Sequence, residues 1–398
     1  MKSIIVLGMT YNQVPLVEKA REMGYRTIVI GAGGGPPVAA ECADAAFPID
    51  TSDLEAVSDL AVRENAAGLV TCGTSTPMCT VAYVTEKLGL SKYVISYDTA
   101  LKSVHKDRFR DIIGDLLPRG TSSFDADSTY QQSISFDYPL ILKPGDGGGG
   151  KGITVVDELD KEAFHKAFAY AQEFSRSKRV IVEEFVDGEI LGAESFTLDG
   201  HVQLLAIADK IITEPPRCIT LGVAFPSRLP VEVQDRIRDV NEAAVSRLGI
   251  RWGPTHIDMA VNRNGRPKII DIGPRLPGGH IMSTLIPAAY GYDFHKATIQ
   301  LALGIVPSTP GGPDTIYYGY RFMISPKPGM LGSIDYTQAD MERYSIGAIR
   351  QLVPNGTVLG DAENDGSRLI MFTSKGDSYD ALIANLDDFS SRVRITVT

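Results

Sequence analysis

The sequence predicts a mixed α/β and α+β fold in three parts. Over roughly residues 1–100, short apolar runs alternate with segments of helical spacing, the pattern of parallel βαβ units with helices on both faces. From 101 to 306 the strand signals come in hairpin-like pairs, and after a Pro- and Gly-rich stretch the region 307–398 carries further strands and a helix.

In the first part, Ser3–Leu7, Thr27–Ile30, Ala66–Thr71 and Tyr93–Ser96 read as strands, with helical spacing in Val14–Met23 and Pro77–Leu88. The glycines Gly31–Gly35 close the second run. Leu101–Leu117 then reads as helical. Tyr138–Lys143 and Ile153–Val156 bracket a glycine-rich loop as the strands of a hairpin would, and the helix-like Lys161–Ser175 leads into the strand Val180–Glu184. Ser195–Leu198 and Val202–Ala208 pair around Asp199-Gly200, and His256–Val261 and Lys268–Ile272 around Asn264-Gly265. Between them Pro230 opens a helix with Val233, Ile237, Val240, Ala244 and Leu248 on one stripe. Pro307–Pro313 reads as a linker, followed by Tyr317–Ile324, Leu369–Thr373, a helical Tyr379–Phe389 and a last strand.

Composition narrows the function classes. The 398 residues hold 39 Lys and Arg against 49 Asp and Glu, a net charge of −10. Such a chain has no generic attraction for nucleic acid or anionic lipid, so neither is expected as a partner. Only four apolar residues follow Lys2 and Ser3 before Gly8, too few for a signal-peptide core, and no run approaches the roughly 18 apolar residues of a membrane span. Cys42, Cys72, Cys79 and Cys218 form no C-x-x-C pair and read as buried free thiols in a reducing, cytoplasmic setting.

The sharpest local feature is LKPGDGGGGKGI, Leu142–Ile153, six of whose residues are glycine. So many glycines forfeit packing and cost backbone entropy, and what they permit is a crowd of N–H groups around an anion such as a phosphate. A P-loop fails here, because Gly152 stands where the Mg²⁺-binding hydroxyl belongs and a strand follows instead of a helix. Lys143, inside PLILKP, is expensive to bury without an anion, and triphosphate oxygens would supply one. Lys106 begins a helical segment. In VIVEEFVDGE a strand end with two carboxylates could pair with adenine through its backbone. Asp258 and Asp271 fall side by side if Asn264-Gly265 joins their strands, and like charges so placed call for a cation, with oxygen ligands suited to Mg²⁺. Arg275 would aim a forked donor at the same place; a structural salt bridge is the competing account of the aspartates.

Taken in order, Lys106, Lys143, the glycine loop, Glu183-Glu184, Asp258, Asp271 and Arg275 resemble the ATP-grasp superfamily, in particular the branch of L-amino acid ligases, biotin carboxylase, carbamoyl-phosphate synthetase and purine-pathway carboxylases. The resemblance implies an N-terminal Rossmann-like domain (1–100), a two-lobed ATP-grasp domain (101–306, lid lobe about 120–185) and a C-terminal α+β domain (307–398). It implies Lys106 and Lys143 on the α- and β-phosphates, and Gly147, Gly148, Gly149, Gly150 and Gly152 in the loop that closes over phosphate. By the same likeness Glu183, Glu184, Phe185 and Val186 read adenine, with Glu189 or Glu194 toward the ribose because Ile190 stands where a ribose-binding Glu is expected. Asp258 and Asp271 become the Mg²⁺ (or Mn²⁺) ligands, and Arg275 and Lys210 the cations near the reacting groups. His280 is a guess at a substrate-facing position. Both metal ligands are Asp where Glu is commoner, and Gly273 replaces a frequent metal-binding Asn.

The implied reaction is ATP-dependent ligation of a small carboxylate, such as an amino acid, to an amine through an acylphosphate, with ADP and phosphate released. Two alternatives stay open: a carboxylase working through carboxyphosphate, and a catalytically weakened ATP-binding protein. The implied partners are small-molecule carboxylate and amine substrates, and a homodimer is compatible with the family.

Overall fold

The structure, a computed structural model, describes residues 1–33, 37–146, 149–215, 217–278, 285–312 and 316–398. Among these residues Ser3–Leu7, Arg26–Ile30, Ala45–Phe47 and Ala66–Thr71 form a parallel sheet with Ser3–Leu7 and Arg26–Ile30 in the middle. Its strands are apolar on both faces because both are covered. Ile5, Leu7, Ile28 and Leu69 pack on the helices Leu54–Arg63 and Pro77–Leu88, whereas Ile4, Val6, Val29 and Val70 pack on Val14–Glu22 and Phe294–Ala302. Two expectations need correction here. Tyr93–Ser96 is not a strand: Tyr93 is tilted against Trp252 at 4.7 Å, and Ser96 caps the next helix by accepting from Thr99 N. Leu101–Leu117 is not one helix either. Extended His105 divides Tyr97–Val104 from Lys106–Ile113, which places Lys106 at the start of a new helix.

Four described strands, Gly120–Ser123, Val180–Glu184, Leu140–Pro144 and Thr154–Val156, make an antiparallel sheet in that order. The helices Ala126–Ser133 and Lys161–Glu173 back it through Tyr130, Phe164 and Phe168. A larger antiparallel sheet runs Pro267–Gly273, Gly253–Asn262, Gly188–Leu198, His201–Ile212, Thr220–Phe225, Tyr317–Ile324, Arg368–Gly376, Ile346–Gln351 among the described residues. Asp199 and Gly200 both take positive φ, as a two-residue hairpin turn of this hand requires. The helix Val231–Arg247 covers one face with Val233, Ile237 and Ala244, and Tyr379–Arg392 packs near the far end with Leu382, Leu386 and Phe389. Strands from both sides of residue 307 therefore share one sheet.

Of the four cysteines only Cys72 is buried, and burial pushes its thiol up to about 12; Cys42, Cys79 and Cys218 are half-buried, contrary to expectation. Among the described residues no helix is long and apolar enough to cross a membrane.

Candidate active site

The small sheet and the large sheet meet at Lys143. Its strand, Leu140–Pro144, is apolar and buried, and the side chain is carried inside with it. The Lys143 ammonium donates to Ile270 O at 3.0 Å, next to Asp271 in sequence, and lies 2.5 Å from a Glu183 carboxylate oxygen on the neighbouring strand. Burial pushes this lysine below its ordinary range, and Glu183 opposes the shift. The other Glu183 oxygen takes Arg110, one helical turn after Lys106. Glu183, read from sequence as part of a backbone hinge, thus has its side chain buried between two cations.

Asp258 and Asp271 are direct partners in the ladder joining Gly253–Asn262 to Pro267–Gly273. Lys106 pairs with Asp271, and Lys210 lies 2.5 Å from Asp258. His256, two positions before Asp258 and so on the same face, bridges two carboxylates: Nε2 is 3.0 Å from Asp258 and Nδ1 is 2.6 Å from Glu194. Burial disfavours a charged ring, but Glu194 and Asp258 outweigh it and raise the His256 pKa. For Asp258 burial pushes upward, and Lys210 and His256 carry the carboxyl well below its usual range. Gly192 leaves room for this cluster: a Cβ there would lie 3.2 Å from Glu194 Oε1 and 3.4 Å from His256 Cε1.

Arg275 is buried, with its Nε unpartnered among the described residues. It is held where the end of the parallel sheet touches the chain after Asp271. Cys72 bridges Leu276, and Gly73 N donates to Leu276 O at 3.0 Å. A Cβ on Gly273 would meet Ser75 Oγ at 2.4 Å and Arg275 Nε at 3.1 Å, so a side chain at that position would have to displace them.

The remaining expected positions fall as follows. Glu184 N donates to Arg119 O and Phe185 N to Pro139 O, both at 2.8–2.9 Å, so these two N–H groups are already engaged, and Val186 follows them outside any strand. Glu189 is exposed and pairs with Arg228 at 3.2 Å, whereas Glu194 is fully buried and committed to His256. Gly149, Gly150 and Gly152 take φ of 67°, 74° and 73°, a region that favours glycine. Gly147, Gly148 and His280 lie outside the described residues.

Sequence reasoning did not single out Arg110 or His256. Their signals were present: Arg110 follows Lys106 by four on a helix, and His256 precedes Asp258 by two on a strand. Among the described residues no group of three His, Cys, Asp or Glu is arranged to hold a metal alone. Two facing carboxylates do suit Mg²⁺, which commonly takes one or two from protein and the rest from phosphate and water.

Residues 136–284 match the ATP-grasp domain family. The chain carries an ATP-grasp domain.

Similarity extends beyond that segment. The L-amino acid ligase from Bacillus licheniformis superposes with a TM-score of 0.82 at 19% identity, over 100% of this chain and 99% of that one. Phosphoribosylglycinamide synthetase from Anaerococcus prevotii gives 0.76 at 18% identity over 100% of both chains. The biotin carboxylase domain of the Hydrogenobacter thermophilus 2-oxoglutarate carboxylase, solved with MgADP and bicarbonate, gives 0.77 at 15% identity over 100% of this chain and 91% of that one. These likenesses establish the ATP-grasp fold of the chain. In sequence, the carbamoyl phosphate synthase large chain of Bifidobacterium adolescentis is 24% identical over 331 residues, 76% of this chain and 29% of that protein. An uncharacterized protein of Sinorhizobium fredii is 30% identical over 173 residues, 42% of this chain and 34% of that one. The chain thus spans about a third of these relatives' length.

Proposed function

We propose that this ATP-grasp protein is an ATP-dependent carboxylate–amine ligase, an ADP-forming enzyme that joins a small acid such as an amino acid to an amine. The observation that carries the reading is the convergence of Lys143 from one stretch, and of Lys106 and Arg110 from another, on a site edged by Asp271. In a chain of net charge −10, such a concentration of buried cations beside paired carboxylates is what a metal–triphosphate complex needs.

On this reading Lys106 and Lys143 turn from Asp271 and Glu183 toward phosphate oxygens. Asp258 and Asp271 would hold Mg²⁺, which neutralises charge on the phosphates when bound. Arg275 and Lys210 stabilise the charge that spreads over the phosphoryl group as a substrate carboxylate oxygen attacks the γ-phosphorus and the bond to ADP breaks. The amine then attacks the acylphosphate carbon, forming the amide and releasing phosphate and a proton. The glycine loop shields the intermediate from water. The division at residues 100 and 306, the adenine-reading role of Glu183–Val186 and a cytoplasmic setting belong to the same proposal.

The full-length superposition on an L-amino acid ligase favours amide formation. A second reading, carboxyphosphate formation from bicarbonate, draws on the biotin carboxylase domain and carbamoyl phosphate synthase likenesses. Incubation with ATP, Mg²⁺ and a panel of amino acids decides between them. Phosphate release that depends on an amino acid, with a new amide by mass spectrometry, supports the ligase. Release driven by bicarbonate alone overturns it in favour of the carboxylase, and ATP binding with no release under any condition overturns both.

A further inference from the structure

The glycine loop does not end in solvent on its far side. Gly149 O accepts from Asp365 N at 3.2 Å, and the space where a Gly150 side chain would start lies 4.0 Å from Asn364 Cβ and Asp365 N. Asp365 belongs to a short turn, Asp365–Ser367, that is itself tightly held. Asn364 Oδ1 accepts from Gly366 N at 2.9 Å, and Glu363 N donates to Ser367 Oγ at 3.2 Å. The Asp365 carboxylate accepts from Thr220 N at 3.2 Å and pairs with Arg368 at 2.6 Å. Arg368 in turn donates to Thr220 O at 2.8 Å and lies over the Phe322 ring at 4.2 Å. The turn is therefore anchored to two strands of the large sheet, 220–225 and 317–324. A second contact runs parallel to the first. Arg217 lies over Tyr170, on the helix that backs the small sheet, at 5.2 Å and comes within 3.9 Å of Glu363.

We infer that the Asn364–Ser367 turn is a latch for the glycine loop, with Asp365 as a positioning residue whose N–H holds the Gly149 carbonyl and so keeps the loop over the nucleotide site. The inference rests on the ATP reading for what the loop covers, but the contact itself is independent of it. The loop's left-handed glycines let its carbonyl face the turn, and the carboxylate of Asp365 fixes its own N–H by clasping Thr220 and Arg368. The C-terminal part of the chain thereby acts on how long nucleotide stays bound and how well the reacting groups are kept dry, without touching them.

Asp365→Pro removes the donor, and with it the carboxylate held by Thr220 N and Arg368, while the preceding Asn364 is already extended (φ −159°, ψ −179°), as a residue before proline prefers. Asp365→Asn keeps both the N–H and an acceptor for Thr220. Hydrogen exchange of the segment 149–154 is read in both variants, in Asp365→Ala and in the wild type, without nucleotide and with MgADP, together with the MgADP dissociation rate. Loss of the hydrogen bond to Gly149 O should speed loop exchange and MgADP dissociation by about fivefold or more in Asp365→Pro, with Asp365→Ala, which lacks the carboxylate but keeps the N–H, less affected and Asp365→Asn close to wild type. Equal exchange and dissociation in all four proteins overturns the latch. If Asp365→Pro does not fold, Asn364→Ala, which only loosens the turn, must show faster loop exchange in the same direction or the inference falls. Absence of any MgADP protection in the wild type would instead count against the ATP reading, while the nucleotide-free comparison still judges the latch.

Discussion

Asp258 stands directly opposite Asp271 across an antiparallel ladder, and each carboxylate is met by its own lysine, Lys210 and Lys106. Facing like charges destabilise a strand pair unless cations intervene, and here two ammonium groups from distant segments do so. The structure shows the salt-bridge account of these carboxylates, and on the proposed reading the same pair would also take a divalent ion.

Replacing either aspartate tests this. Asp258→Asn and Asp271→Asn are each expected to lower ATP-dependent phosphate release by about 100-fold or more while the protein stays folded by circular dichroism. Excess chelator should abolish the wild-type activity and Mg²⁺ restore it. Wild-type rates in either variant would remove the pair from the site.

Glu183 supports a prediction about stability. Its carboxylate neutralises both Lys143 and Arg110 in a buried setting. Glu183→Ala leaves the buried Lys143 and the half-buried Arg110 without that partner and is expected to cost about 3 kcal/mol in urea unfolding. Lys143→Met leaves Glu183 its Arg110 partner, so it should cost clearly less while reducing turnover more than stability explains. Equal losses from the two variants would show that Glu183 is not shared as described.

Gly273 offers a third test. Because Ser75 Oγ and Arg275 Nε occupy the space a side chain would need, Gly273→Asn is expected to lose about 1–3 kcal/mol through overpacking. Gly273→Asn combined with Ser75→Gly should recover part of that loss in thermal melts. An Asn accommodated without any loss would mean that the serine wall yields freely.

A fourth concerns pH. Burial raises the Asp209 carboxyl above its ordinary value, against hydrogen bonds from Ser227, Arg228 N and Tyr379. A raised carboxyl binds more protons folded than unfolded, so its contribution is complete below the unfolded value near 4 and is lost as pH rises through the folded value. Wild type should therefore lose stability relative to Asp209→Asn as pH is raised from about 4 toward neutrality. Denaturant unfolding in pH steps reads this, and parallel profiles would contradict it.

Much of this geometry was legible in residue order. Asn264-Gly265 between two apolar runs dictated the hairpin, and the hairpin put Asp258 beside Asp271. The lone lysine in PLILKP did prove buried against a carboxylate. What was hidden depends on pairings between distant strands. Glu194 and His256 are 62 positions apart and meet only because their strands are neighbours in register. Nothing local tells that Glu183 points inward while Glu184 bonds Asp137 N near the surface. Tyr93–Ser96 has strand-like composition, but its aromatic ring is used against Trp252 and its serine as a helix cap.

The contact of Cys72 and Gly73 with Leu276 has a consequence for how the chain can be dissected. Ser75 and its neighbours furnish one wall of the chamber around Arg275, so the first hundred residues are not a detachable module. A truncated version starting near residue 101 would lack Leu69, Met78 and Val81, uncover Leu301 and Ala302, which line the same cavity, and leave that guanidinium open to solvent. Engineering a minimal catalyst from this scaffold therefore means keeping the Rossmann-like portion, however remote from the chemistry it looks in a linear map.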